Sequence, residues 1–65
     1  MTIEEQKKFI DMVKAATHGL APDEKRARQD VLLAGACMAL SVLDQCPNEW
    51  RALLFLGRAQ KLFRR

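Results

Sequence analysis

The fold is decided by residues 31–43, which read VLLAGACMALSVL. Ser41 is the one residue of this run with a clearly polar side chain. A helix on the surface of a globular protein shows one apolar stripe, whereas a helix that is apolar all round must be covered on every side. The run therefore predicts a helix that other elements must cover on every side. Its 13 residues fall short of the roughly 20 that a membrane-spanning helix needs.

Start and stop signals place this run in the second of three predicted helices. The segment Ala21-Pro22-Asp23-Glu24 predicts the start, because proline tolerates the first helical position and acids favour the positive end of a helix. No further helix breaker follows before Pro47. We therefore expect this helix to span about 22–45.

A first helix is predicted upstream, over about 2–17. Thr2 and Glu5 have the spacing of a capping box, in which each side chain pairs with the other residue's amide. Gly19 can adopt the left-handed conformation that ends a helix. The apolar side of this first helix consists of Ile3, Phe9, Ile10, Val13 and Ala16.

A third helix is predicted over about 47–64, because Cys46-Pro47-Asn48-Glu49 repeats the proline-and-acid start signal. Helical spacing gives it a predicted core stripe of Ala52, Phe55, Leu56, Ala59, Leu62 and Phe63. A second line holds the predicted partner-binding residues Trp50, Arg51, Leu54, Arg58, Lys61 and Arg65. No segment shows sustained strand alternation. The expected fold is all-α: one domain over 1–65, a three-helix bundle in which a helical hairpin packs with an N-terminal helix.

The apolar run also predicts self-association. Each helix of a monomeric three-helix bundle leaves an outer face to water, and this run has no polar outer face. Small residues such as Gly35 and Ala39 allow two backbones to approach closely. We expect a homodimer across a two-fold axis, with contacts from Val31, Gly35, Met38, Ala39 and Val42. Two alternatives stay open: the small residues fill a tight monomer core, or a different partner protein covers the run.

The net charge of +3 is concentrated at one end of the chain. Residues 1–24 carry three lysines against five acids, residues 25–49 are balanced, and residues 50–65 carry five basic residues and no acid. Such a cluster can contact an acidic or apolar protein surface, nucleic-acid phosphates or anionic lipid, or remain a solvated face. Nucleic acid ranks second here, because the chain has no tyrosine and only Trp50 among its aromatic residues is expected to be exposed.

No catalytic, metal or cofactor site is predicted. Cys37, Cys46 and His18 supply three candidate ligands where a structural zinc site needs four. His18 precedes a helix-ending glycine, where histidine interacts with the last carbonyls of the helix. There is no glycine-rich phosphate loop. The N-terminus lacks the apolar core of a signal peptide, so we expect a cytoplasmic protein without a membrane span.

Part of the chain resembles the junction between two tetratricopeptide repeats. Over residues 39–60, an apolar helix ends in Pro47 and the next helix carries the pair Leu56-Gly57 at the spacing of that junction. The resemblance implies that Gly57 lies inside a helix. It covers about a third of the chain and departs upstream, where residues 19–22 interrupt the helix that a preceding repeat would need. It therefore indicates similar helix packing rather than membership of the family.

These observations predict a small non-enzymatic interaction or regulatory protein that binds and modulates a partner protein. Free-standing helical proteins of this size are often accessory regulators or inhibitors, including those of phages and mobile elements, and this inference is by analogy. The alternative is a nucleic-acid-binding regulator that uses the basic C-terminal helix.

Overall fold

The computed structural model describes residues 1–64 and has three α-helices followed by a 3₁₀ helix. In chain order the elements are α1 (Ile3–Ala16), α2 (Pro22–Val42), α3 (Asn48–Phe55) and η1 (Ala59–Phe63). No strand occurs in residues 1–64, which confirms the predicted all-α class. α2 contacts α3 and η1, and α1 contacts α2 and η1. The radius of gyration of 11.3 Å is close to the roughly 11 Å of a compact chain of this length.

Local chemistry sets the start of α1 where the sequence predicts it. The Thr2 hydroxyl accepts a hydrogen bond from the Glu5 amide at 3.1 Å, and the Glu5 carboxylate accepts one from the Thr2 amide at 3.2 Å. This capping box pairs amides that the helix itself leaves unpaired. The bonds from Thr2 also lower the pKa of Glu5. Beyond the helix, Gly19 has a φ of +85°.

α2 ends at Val42, a few residues before its predicted end. Asp44 adopts a left-handed φ of +53°. Two hydrogen bonds close the turn: Asp44 N–H to the Ser41 carbonyl at 3.1 Å and Gln45 N–H to the Leu40 carbonyl at 2.8 Å. This pattern is a Schellman motif, which pairs the last carbonyls of a helix. Glycine usually occupies the left-handed position, so an aspartate there gives no stop signal in the sequence.

The prediction of one continuous helix over 47–64 is wrong in its second half, because α3 ends at Phe55. Gly57 has a left-handed φ of +68°, which only glycine adopts without a Cβ penalty. Two hydrogen bonds make a second Schellman motif: Gly57 N–H to the Leu54 carbonyl at 3.1 Å and Arg58 N–H to the Leu53 carbonyl at 2.7 Å. Gly57 therefore ends a helix, contrary to what the tetratricopeptide resemblance implies.

The core lies where α2, α3 and η1 meet. Its buried residues are Leu33, Cys37, Cys46, Trp50 and Ala59. The Trp50 ring centroid lies 5.1 Å from that of Phe9, with the two planes tilted by 36°. Since Phe9 belongs to α1, this ring contact brings α1 onto the core. Partly buried side chains surround the cluster: Phe9, Ile10, Leu40, Leu54, Leu62 and Phe63.

α3 packs on the core with a different side from the one predicted. Trp50, expected to be exposed, is 1% exposed, whereas Phe55, expected in the core, is 90% exposed. Ala52 and Leu56 of the predicted core stripe are also exposed. Because the chain breaks at Gly57, the residues of η1 do not share a helical phase with those of α3. The predicted stripe is therefore confirmed only on η1, where Ala59 is buried and Leu62 and Phe63 pack against the core.

A buried pair of polar side chains joins α1 to α2. Gln29 is 3% exposed and Thr17 is fully buried. The Gln29 amide nitrogen donates to the Thr17 hydroxyl at 3.2 Å, and that hydroxyl donates to the Val13 carbonyl at 2.8 Å. The Thr17 hydroxyl therefore acts as acceptor and donor at once, and buried polar groups need such partners.

Candidate interaction surfaces

α2 has one side in the core and an apolar side in solvent. Its buried residues Gln29, Leu33 and Cys37 are spaced four apart and lie on one side of the helix. At 3.6 residues per turn, the line Val31, Gly35, Met38 and Val42 falls on the opposite side. Val31 is 69% exposed, Met38 74% and Val42 85%, and Gly35 and Ala39 are exposed as well. All the residues predicted to mediate self-association are thus uncovered in the single chain.

Gly35 and Ala39 are exposed, so these two small residues do not fill a tight monomer core. A Cβ added at Gly35 would meet no heavy atom within 4 Å. Glycine inside a helix lowers its stability by about 1 kcal/mol relative to alanine. Packing within the described part of the chain gives no reason for glycine at this position.

Further apolar side chains are exposed on α2 and at the end of α3. Leu32 is 40% exposed and Leu43 is 64% exposed. At the end of α3, Leu56 is 60% exposed beside Phe55. A depression of about 300 Å³ adjoins the start of the exposed line, and its lining is Asp30, Val31, Ala34, Leu54, Gly57 and Ala59. The exposed apolar residues are therefore more than isolated side chains on a polar surface.

The basic line predicted along the third helix is divided by the structure. Arg51 lies on α3, whereas Arg58 and Lys61 follow the helix break, and all three are exposed. Leu54, predicted on the same line, is half-buried and packs against the core cluster. Arg65 lies outside the described residues. Of the predicted partner-binding residues, Trp50 is therefore buried in the core and Leu54 packs against it. The remaining ones do not form one line.

Arg58 and Lys61 instead meet cations from distant parts of the sequence. They line a depression of about 380 Å³ between α2 and η1, which we call the basic depression: Arg26, Asp30, Gly57, Arg58, Gln60, Lys61 and Arg64. A neighbouring depression of about 220 Å³ shares Arg26, Gln60 and Arg64 and adds Lys25. Arg26 is far from the basic C-terminal end in sequence, so charge counting along the chain could not group it with Arg58.

Gln60 connects the two walls of the basic depression. Its amide nitrogen donates to the Arg26 carbonyl at 3.1 Å and to the Asp30 carboxylate at 2.6 Å. These bonds hold η1 against the early turns of α2. Asp30 is the acidic residue in the lining, and one of its oxygens is already engaged by Gln60.

The two cysteines are buried free thiols. The pKa of Cys37 is raised to about 12, mainly by burial and to a lesser extent by the neighbouring Cys46. Because the thiolate is the nucleophile and the metal ligand, a neutral Cys37 is suited to neither role. Within residues 1–64 no three His, Cys, Asp or Glu residues lie close enough to hold a metal ion. His18 is exposed just after α1.

Among residues 1–64, no helix combines the length and the hydropathy that crossing a membrane would require. Comparisons with protein-family models, curated protein sequences and solved structures find no match to this chain. The molecule therefore has two candidate interaction surfaces, the exposed apolar line of α2 and the basic depression.

Proposed function

We propose that this chain is a non-enzymatic interaction protein that binds and modulates a partner protein and assembles as a homodimer through α2. The observation that carries the proposal is the exposed apolar line of α2, in which Val31, Met38 and Val42 are each at least two-thirds exposed. Contiguous exposed apolar surface on a small protein marks a contact with another macromolecule. A second copy covers it with the same residues.

An antiparallel two-fold arrangement of α2 fits the shape of this line. With the axis between Gly35 and Met38, Val31 lies opposite Val42 of the partner subunit. Gly35 then lies opposite Met38 of the partner subunit. The open space over Gly35 accepts the long, flexible methionine side chain. This arrangement supplies the packing reason for glycine that the single chain lacks.

Charges at the two ends of the line agree with the same arrangement. Arg28 precedes Val31 by nearly one helical turn, and Asp44 follows Val42. Both side chains are exposed. An antiparallel pairing brings Arg28 of each subunit towards Asp44 of the partner subunit, whereas a parallel pairing brings like charges together. Opposite charges at the rim favour one orientation of docking.

The non-enzymatic role is proposed from the size of the chain, because a catalytic site needs a concave pocket and a helical chain of 65 residues leaves little room for one. A regulator or inhibitor of this size acts by occupying a surface of its target.

Light scattering coupled to size-exclusion chromatography tests the assembly. We expect a mass of twice the 7.4 kDa chain at micromolar concentration. Met38→Glu should give the single-chain mass, because dimer formation would bury an unpaired charge. The matched control is Met12→Glu, since Met12 is 69% exposed but lies on α1. Met12→Glu should remain dimeric.

A single-chain mass for the unmodified protein across the whole concentration range would overturn the homodimer. Equal effects of the two glutamate substitutions would show that the association is not specific to α2. A second candidate function, a nucleic-acid-binding regulator, is favoured by the cations around the basic depression. It predicts measurable affinity for nonspecific DNA that falls steeply with added salt.

A further inference from the structure

We propose that the basic depression binds the carboxylates of an acidic segment on a protein partner. The inference rests on the proposed role as a protein-binding module, and it does not depend on dimer formation. It names the chemistry of the partner, and it assigns binding roles to Arg26 and Arg64, which the pattern of the sequence does not single out.

The cations of the depression come from separate parts of the fold. Arg26 belongs to α2, Arg58 to the turn that ends α3, Lys61 to η1, and Arg64 to the residues after it. Folding brings these like charges to one depression, which opposes folding through repulsion. Asp30 is the one acid that lines it within residues 1–64. A bound anion supplies the compensating charge that this lining lacks.

The positions of these cations are set by hydrogen bonds of the backbone and of Gln60. Gln60 ties η1 to α2 through the Arg26 carbonyl and the Asp30 carboxylate. The Arg58 amide donates to the Leu53 carbonyl at 2.7 Å within the Schellman motif. Backbones that are fixed before binding lose less conformational entropy when a ligand arrives.

The side-chain types favour carboxylates held in a compact group. Three of the four cations are arginines, whose planar guanidinium groups bind carboxylates through two parallel hydrogen bonds. A depression of about 380 Å³ has room for a few acidic side chains. Duplex DNA instead needs cations spread along a helix or groove, and single strands need exposed aromatic rings for stacking. Among residues 1–64, no aromatic residue lines the basic depression, and Phe63 of the neighbouring lining packs against the core cluster. Phe55 is 90% exposed but lies outside both linings.

Binding of a fluorescently labelled hexaglutamate peptide, followed by anisotropy, tests the proposal. The variant Arg58→Gln/Lys61→Gln should bind the peptide at least about tenfold more weakly, because two direct contacts are lost. The matched control is Lys7→Gln/Lys8→Gln. It removes the same charge from exposed positions on α1, outside the depression. The control should stay within about twofold of the unmodified protein.

Several outcomes would overturn the proposal. The first is that the peptide does not bind, and the second is that both double variants lose the same amount of peptide affinity. The third is that a DNA oligonucleotide of equal charge binds more tightly than the peptide through the same residues. The last result would establish the nucleic-acid alternative. If circular dichroism shows that Arg58→Gln/Lys61→Gln is unfolded, Arg26→Gln/Arg64→Gln takes its place. Monomeric Met38→Glu should still bind the peptide, so failure of the dimer and failure of this site are distinguished.

Discussion

Replacing Thr17 by valine tests the buried polar pair that holds α1 on α2. Valine has nearly the shape of threonine, so the substitution leaves no cavity. The Val13 carbonyl keeps its backbone partner, because the Thr17 amide donates to it at 3.0 Å. Valine removes the hydroxyl's bonds to the Val13 and Lys14 carbonyls. It also removes the acceptor of the Gln29 amide nitrogen, which donates to the Thr17 hydroxyl at 3.2 Å.

The expected loss follows from the burial of Gln29. At 3% exposure, its amide nitrogen has little access to water once the hydroxyl is gone. A buried donor without a partner destabilises a protein by about 1–3 kcal/mol. We expect Thr17→Val to lower the free energy of unfolding by about 2 kcal/mol. For a domain of this size, that is a fall of about 8–16 °C in the thermal midpoint.

Chemical and thermal unfolding followed by circular dichroism, at one fixed protein concentration, measures this effect. In the double variant Thr17→Val/Gln29→Met both polar partners are gone, so it should lose less than the two single variants added together. Gln45→Met is the control, because Gln45 is exposed, and it should have little effect. A loss below about 0.5 kcal/mol for Thr17→Val, or strict additivity in the double variant, would refute the reasoning.

Two further predictions concern the helix ends and the core thiol. Asp44→Gly should raise the free energy of unfolding by up to about 1 kcal/mol, since the left-handed backbone at φ +53° is unfavourable for a residue with a Cβ. Asp44→Val should lower it by more than about 1 kcal/mol; unchanged thermal midpoints for both variants would contradict the left-handed turn. Folding raises the pKa of Cys37 from 9.0 to about 12, because the buried thiol stays neutral. Above pH 9 the thiol ionises more readily in the unfolded chain. The stability that the neutral thiol gives the fold is therefore complete below pH 9 and is lost as pH rises towards 12. Unfolding curves across that range should show a decline that Cys37→Ala reduces, and an identical decline in the variant would contradict the assignment.

The starts of the helices could be predicted from the sequence because they depend on local chemistry. The capping box at Thr2 and the prolines at positions 22 and 47 each act within a few residues, with no help from the rest of the fold. The exposed side of α2 could also be predicted, since its apolar run exceeds what two neighbours can cover. In both cases the deciding interactions lie within one segment.

The end of α3 and the basic depression could not be predicted in the same way. The apolar spacing continues past Gly57, so periodicity alone favours one long helix, and only the left-handed backbone at Gly57 shows the break. The stripe counted across that break places Phe55 in the core and leaves Trp50 exposed, whereas Trp50 is buried and Phe55 is exposed. Arg26 and Arg58 line one depression because η1 packs on α2, where Gln60 donates to the Arg26 carbonyl. Such a tertiary contact leaves no local signal.

Trp50 gives the protein an optical reporter for one particular event. It is the only tryptophan of the chain, and the Phe9 ring of α1 lies 5.1 Å from it. Detachment of α1 as an intact helix would let water reach the indole and shift its emission to longer wavelength, while the far-ultraviolet helix signal would barely change. If the two signals instead change together during unfolding, α1 leaves only when the whole domain unfolds. Fluorescence of the unlabelled protein therefore distinguishes local opening from global unfolding.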